Sequence, residues 1–121
     1  QRKRVFIACR DLVDGEQTRD FTHVSNAVQA NVRAMFTDNA EAFGRVYNVA
    51  VGQSITVNQL FDEVAAIAGK EMKPHHRADR PGDVRSSLAD ISLAQKYLGY
   101  EPQVRIREGL RQTYEWFKST Y

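Results

Sequence analysis

The sequence predicts an α/β domain, with α+β as the alternative. Short apolar runs of strand length alternate with amphipathic stretches of helical period along the whole chain. Glycines and Ser/Thr-with-Gln pairs punctuate the junctions between them. The length of 121 residues suits a single domain and is too short for two.

Val5-Phe6-Ile7 reads as a short buried strand. Phe21 to Val24 is a second extended candidate, running into an amphipathic helix from about Ser25 to Phe36. Val24, Ala27, Val28 and Met35 mark one face of that helix, and Asn31 interrupts it. Gly44 and Gly52 bracket "RVYNVAV", residues 45–51, a strand signal rich in β-branched residues. Thr56 and Gln59 form a capping-box pair that opens the next helix. Val57, Leu60, Phe61, Val64, Ala65 and Ala68 make its face, and Gly69 supplies the stop. Met72 to His76 is a further strand candidate. Ser92 and Gln95 are placed to cap a short helix ending at Gly99. A closing helix from about Arg107 carries Ile106, Leu110, Thr113, Tyr114 and Phe117 on one stripe.

Composition narrows the function. A formal net charge of +2 and a pI near 8.8 argue against a dedicated nucleic-acid binder, which concentrates far more basic residues on one face. The single cysteine, Cys9, allows no internal disulfide and fits a reducing compartment. No apolar run approaches the length of a membrane span, and no signal-peptide core is present. The expectation is a soluble, cytoplasmic protein with neither nucleic acid nor membrane as a partner. The sequence opens at Gln1 rather than methionine, and Arg2-Lys3-Arg4 reads as a solvated basic end. A chain that has lost its start, or was cut from something larger, is expected.

The chemistry concentrates in "DRPGDVRSSLAD", residues 79–90. Arg80, Asp83 and Arg85 fall within six residues, and Pro81-Gly82 forces a turn between them. Arginine forks suit phosphate oxygens, each charge-assisted hydrogen bond contributing about 1.5–3 kcal/mol when well placed. A neighbouring carboxylate suits a sugar hydroxyl. The alternative is a surface loop whose charges pair locally and contribute little. His75-His76 are adjacent, so on a strand they point to opposite faces and cannot chelate one metal.

A second stretch, "DGEQTRDFTHVSNAVQAN" (residues 14–31), shifts the weight. It is followed in order by "VYNVAVG", a Thr-capped helix, "RPGDVRSSLAD", "LGYEP" and "GLRQTYEWF". No single block is specific, but the ordered set over residues 14 to 117 is. The chain resembles the C-terminal part of the NAD-dependent epimerase/dehydratases, the extended short-chain dehydrogenases that modify nucleotide sugars. The "VSNAVQAN" and "VYNVAVGQSITVNQLF" stretches look closest to the UDP-N-acetylhexosamine 4-epimerases of bacterial surface-polysaccharide synthesis. The resemblance implies one domain, residues 1–121, that is the substrate-binding portion of a larger UDP-sugar epimerase. A nucleotide-sugar 4,6-dehydratase or decarboxylase on the same scaffold, or a stand-alone non-catalytic nucleotide-binding module, is the alternative.

Roles follow from the resemblance position by position. Arg19 matches an arginine that reaches the substrate diphosphate, and Arg80 a second one. Asp83 matches the acid on the nucleotide ribose. Ser87 falls where a small residue leaves room for an N-acetyl group. Arg85 and Asp90 are assigned structural work, anchoring the loop and capping the next helix. The family implies NAD, but no Gly-rich dinucleotide fingerprint follows any strand, so the cofactor is expected on a domain absent here. Tyr114 and Lys118 spell the superfamily's Tyr-x-x-x-Lys, yet Tyr114 lies on the apolar stripe. It reads as a core residue, and no catalytic residue is assigned. Two departures stand out: Val13 where the family has glycine before Asp-Gly, and His23 where it has tyrosine. In the family, the helix near 25–36 and the strand near 46–51 pack on the cofactor domain. Alone they would expose apolar surface, through which the isolated chain is expected to self-associate or repack.

Overall fold

The computed structural model describes residues 14–76 and 82–121. The Val5–Ile7 strand, Cys9 and the unusual residues 8–13 lie outside the described residues, and so does Arg80. Helices and short strands are mixed, as the alternating pattern requires.

Strand β1 is only Thr18–Arg19, and it pairs antiparallel with β2, Ile55–Thr56. Thr18 faces Thr56, Arg19 faces Ile55, and a parallel bridge adds Ser86 to the other edge of Thr18. Helix α1 spans Val24–Phe36, α2 Val57–Ala68, α3 Ser92–Leu98 and α4 Ile106–Thr120. A single 3₁₀ turn, Ala40–Ala42, follows α1. Helix α2 packs on α4, and α1 packs on α3.

The helix ends follow local chemistry. Thr56 and Gln59 form the expected capping box at α2, and Gly69 closes it in the left-handed conformation at φ 62°. Gly99 does the same for α3 at φ 61°. His23 caps α1, its Nδ1 accepting from the Ser25 amide at 3.3 Å. At α3 the expected Ser92–Gln95 cap does not form. The N-cap position is Ile91, and Asp90 Oδ1 instead accepts from the Ser92 amide at 2.9 Å. That is the capping role assigned to Asp90. The bond, with a second from the Ser92 hydroxyl, holds the Asp90 carboxyl below its ordinary range.

The extended segments differ more. Phe21–Val24 is not a strand: the pairing residues lie upstream at Thr18–Arg19, and Val24 already begins α1. Residues 45–51 pair with no strand among the described residues, and side-chain tethers hold them instead. Tyr47 Oη donates to the Ala42 carbonyl (2.7 Å), and Asn48 Nδ2 to the Asp90 carbonyl (3.1 Å). The two Asp20 carboxylate oxygens accept from the Val51 and Gly52 amides at 3.0 and 2.8 Å. Met72–His76 forms only a single-residue bridge, at His76.

The core is small. Ala30, Ala50, Ile91, Ala94 and Tyr100 form it, with Tyr47 and Ala89 against its edge. Tyr100 is 0% exposed and donates its hydroxyl to the Ala50 carbonyl at 2.7 Å. Burial, reinforced by the Asp20 charge, pushes its phenol pKa up. Helix α1 buries Asn26 and Ala30, one turn apart, and turns its Val24, Val28, Met35 face to solvent. Asn26, 1% exposed, accepts from the Gln103 and Val104 amides and donates to the Val104 carbonyl. The apolar stripe read from the sequence is therefore an outer face.

Candidate functional site

Thr18 is the residue on which the candidate site is mounted. Its amide donates to the Arg85 carbonyl at 2.9 Å, and its carbonyl accepts from the Ser87 amide at 3.1 Å. Its hydroxyl meets that of Ser86 at 2.9 Å. Residues 85–87, the far half of the arginine loop, are thus laid along β1 as a third strand-like edge. Two segments separated by more than sixty residues are held in fixed register by this one threonine.

A second set of contacts fixes the turn before β1. Arg85 Nη2 pairs with Asp14 Oδ2 at 2.8 Å, the anchoring role expected of Arg85. The Asp14 carboxyl is held below its ordinary range, first by the Glu16 amide and then by Arg85. Asn58, in the first turn of α2, donates to the Asp14 carbonyl and to Glu16 Oε1. Its Oδ1 lies 3.0 Å from His76 Nε2. His76 is thus tied to an amide, and no metal-binding cluster occurs among the described residues.

Arg19 projects from this frame. Its Nη1 donates to the Thr18 carbonyl at 2.8 Å, and its Nη2 donates to Asp83 Oδ1 at 2.9 Å. Both side chains keep about a third of their surface in water, 31% for Arg19 and 39% for Asp83. Arg19 and Asp83, 64 positions apart in the sequence, are therefore paired, and the Ser87 backbone is bonded to the neighbouring Thr18. Ser87 is exposed, its backbone held by Thr18. The next residue, Asp20, turns the other way to bind the Val51 and Gly52 amides. Arg-Asp thus divides its labour: the arginine faces outward and the aspartate locks the glycine loop.

Sequence reasoning missed Asp20, Asn26 and Asn58 as anchors. Of the three only Asn26 is buried, a place an amide keeps only when hydrogen-bonded, and the partners of all three lie far along the chain, where no local signal reveals them. Tyr114 is half-buried rather than in the core, and Lys118 Nζ stands 5.5 Å from its ring centroid. A recess of about 250 Å³, lined mainly by Phe21, Leu60, Ile106 and Leu110, lies between α2 and α4. Its lining is mostly apolar, with Thr22, His23 and Thr113 at it, and includes no arginine or lysine.

A frame that presents a guanidinium beside a carboxylate on a solvent-facing ledge suits an anionic ligand bearing hydroxyl groups. A family model for GDP-mannose 4,6 dehydratase matches residues 8–113. The chain belongs to the NAD-dependent epimerase/dehydratase family. Its fold matches that of the UDP-glucose 4-epimerase from Thermotoga maritima solved with UDP-glucose (39% identity, TM-score 0.81, covering 91% of this chain and 35% of that one). It also matches MoeE5 in complex with UDP-glucuronic acid and NAD (33%, 0.83, 92% and 37%). A third match is the UDP-N-acetylglucosamine 4-epimerase from Methanobrevibacter ruminantium M1 in complex with UDP-N-acetylmuramic acid (35%, 0.80, 91% and 34%). The chain spans about a third of the length of the curated relatives it matches. No helix among the described residues of this family member is long and apolar enough to cross a membrane.

Proposed function

We propose that this chain is a single domain forming the nucleotide-sugar-binding portion of a UDP-hexose or UDP-N-acetylhexosamine 4-epimerase that works in the cytoplasm. The observation that carries the reading is the convergence of Arg19, Asp83 and Ser87 on the Thr18 frame. In this reading Arg19 and Arg80 hold the substrate diphosphate, Asp83 accepts from the nucleotide ribose, and Ser87 lines the sugar end of the pocket. The similar proteins solved with UDP-glucose and UDP-glucuronic acid support a UDP-sugar as the ligand.

NAD, when bound in the whole enzyme, would supply hydride chemistry at the sugar ring. The described residues do not fit its pyrophosphate. The N-termini of α1 and α2 are closed by their own His23 and Thr56 side chains, and no glycine-rich turn precedes them or the uncapped starts of α3 and α4. In this reading the cofactor is held by another part of the protein, and this chain alone should neither retain NAD nor turn over a UDP-sugar. Its residues instead hold the diphosphate while the sugar reorients. A 4,6-dehydratase on the same scaffold is the second reading, favoured by the description of the matching family model.

The test is UDP affinity in the complete enzyme. Arg19→Ala should weaken UDP binding by about 1.5–3 kcal/mol, with Arg19→Lys recovering only part because it lacks the fork. Calorimetry showing unaltered UDP affinity for Arg19→Ala would remove Arg19 from the site.

A further inference from the structure

Asp20 faces away from the ledge that its neighbour Arg19 serves. Both of its carboxylate oxygens are taken up by successive amides, Val51 at 3.0 Å and Gly52 at 2.8 Å. Two adjacent N–H groups turned toward one carboxylate make a directional, charge-assisted clamp. Gly52 is left-handed at φ +73°, and a Cβ there would stand 3.2 Å from Ile91 Cδ1. Close by, Asn48 Nδ2 donates to the Asp90 carbonyl at 3.1 Å. Residues 48–52 are thus tied on one flank to the residue after Arg19 and on the other to the residues that follow Ser87. Just before them, Val46 and Phe43 are exposed and apolar. We propose that Asp20 is a positioning residue: it fixes the nucleotide ledge to residues 45–52, and so sets where a bound sugar stands relative to the part of the enzyme that covers those residues. The proposal rests on the reading of Arg19 as a diphosphate ligand.

The link is short and stiff, since a single planar peptide unit separates the residue on the ligand from the residue on the clamp. Among the described residues, no backbone pairing joins 45–52 to β1, so nothing duplicates the carboxylate. Tyr100, whose hydroxyl holds the Ala50 carbonyl at 2.7 Å, ties the same stretch to the end of α3 and not to β1. An asparagine at position 20 offers one oxygen and turns an NH₂ group toward the second amide, so it cannot reproduce the clamp. Arg19 itself does not depend on it, being held by the Thr18 carbonyl and Asp83. Loss of the carboxylate therefore leaves the diphosphate ligand in place and frees the stretch behind it to shift. Binding and turnover then part company, because a misplacement of about 1 Å lowers a rate by about a hundredfold in unfavourable cases.

The experiment uses the complete enzyme, unaltered and as Asp20→Asn, Tyr100→Phe and Arg19→Ala. It measures kcat, the inhibition constant of UDP, and amide hydrogen exchange with and without UDP. Asp20→Asn should lower kcat about tenfold or more while the UDP constant stays within about twofold. In the unaltered enzyme UDP should slow exchange at Val51 and Gly52 as well as at Thr18. In Asp20→Asn the UDP-dependent slowing should persist at Thr18 and vanish at Val51 and Gly52. Tyr100→Phe loosens the same stretch without touching β1, and should keep that slowing and most of kcat. Equal losses of kcat and UDP affinity in Asp20→Asn would overturn the proposal, because Asp20 would then be supporting Arg19. An unchanged kcat in Asp20→Asn would overturn it too, as would an equal loss of kcat in Tyr100→Phe, which would mark general loosening. If Asp20→Asn does not fold, exchange in the unaltered enzyme decides: UDP that slows Thr18 but neither Val51 nor Gly52 overturns the coupling. If Arg19→Ala binds UDP as the unaltered enzyme does, the site reading fails and this proposal with it.

Discussion

Gly15 has φ +74°, and a Cβ built on it would overlap the Asn58 amide that ties the turn to α2. Both the backbone conformation and the close approach therefore require glycine. Gly15→Ala should destabilise the chain by about 3 kcal/mol, combining left-handed strain with overpacking. The midpoint of urea unfolding checks this, and an unchanged midpoint would mean the turn yields easily. Ser87 raises a question of specificity instead. Its amide is fixed by Thr18, so a tyrosine there would keep its backbone place and project a ring from the exposed ledge. In the complete enzyme, Ser87→Tyr should lower kcat/KM for UDP-N-acetylglucosamine relative to UDP-glucose, by about the 1–3 kcal/mol typical of overpacking a formed site. An unchanged ratio would leave no role for Ser87 in choosing the sugar. The family pattern singled out Arg19, Arg80, Asp83 and Ser87 as the proposed site residues, and Arg80 lies outside the described ones. The ion pair between Arg19 and Asp83 was not legible, since it joins side chains 64 positions apart through a register set by Thr18.

Among the described elements, the four helices were legible from local signals: an apolar period in α1, α2 and α4, the capping box of α2, and the glycines that end α2 and α3. Strands were not, because β1 and β2 are two residues each, too short to show an alternation. Residues 45–51 look like a strand but find no partner among the described residues. Asn26 was equally hidden, since its partners lie 77 and 78 residues away. Replacing it by leucine leaves two amides and a carbonyl of the 103–104 segment without their partner. Asn26→Leu should therefore cost about 3 kcal/mol or more, read as a lowered unfolding midpoint. Helix α4 carries its own pH dependence. Glu108, in the first turn, is lowered from 4.5 to about 2, chiefly by its bond to Arg111 and then by Gln112. A depressed folded-state pKa stabilises fully above the ordinary value and loses that contribution as pH falls through the folded one. Stability should thus decline as pH drops from 4.5 toward 2, and Glu108→Gln should flatten the decline. A slope identical in the variant would assign the acid sensitivity to Asp14 and Asp90, whose carboxyls are lowered in the same sense.

Over the whole molecule, the apolar surface is unevenly placed. Met35, Phe36 and Val46 are 75, 79 and 89% exposed, and Val24, Val28, Val32 and Phe43 join them on the outer side of α1 and the segment that follows. Patches of this kind mark interfaces. The relatives this chain matches are about three times its length, and a cofactor-bearing part of such a protein is the proposed cover. The isolated chain should self-associate through this face, and Val28→Lys combined with Met35→Lys should shift it toward monomer in sedimentation velocity. No shift would place the contact elsewhere. The central claim, that the Thr18 frame presents a nucleotide-sugar site, is tested most directly by a ¹⁵N NMR titration of this chain with UDP. The account predicts weak, saturable shifts concentrated at Thr18, Arg19, Asp83, Ser86 and Ser87. Shifts centred on the α2–α4 recess or the outer face of α1, or no shifts at all, would contradict it.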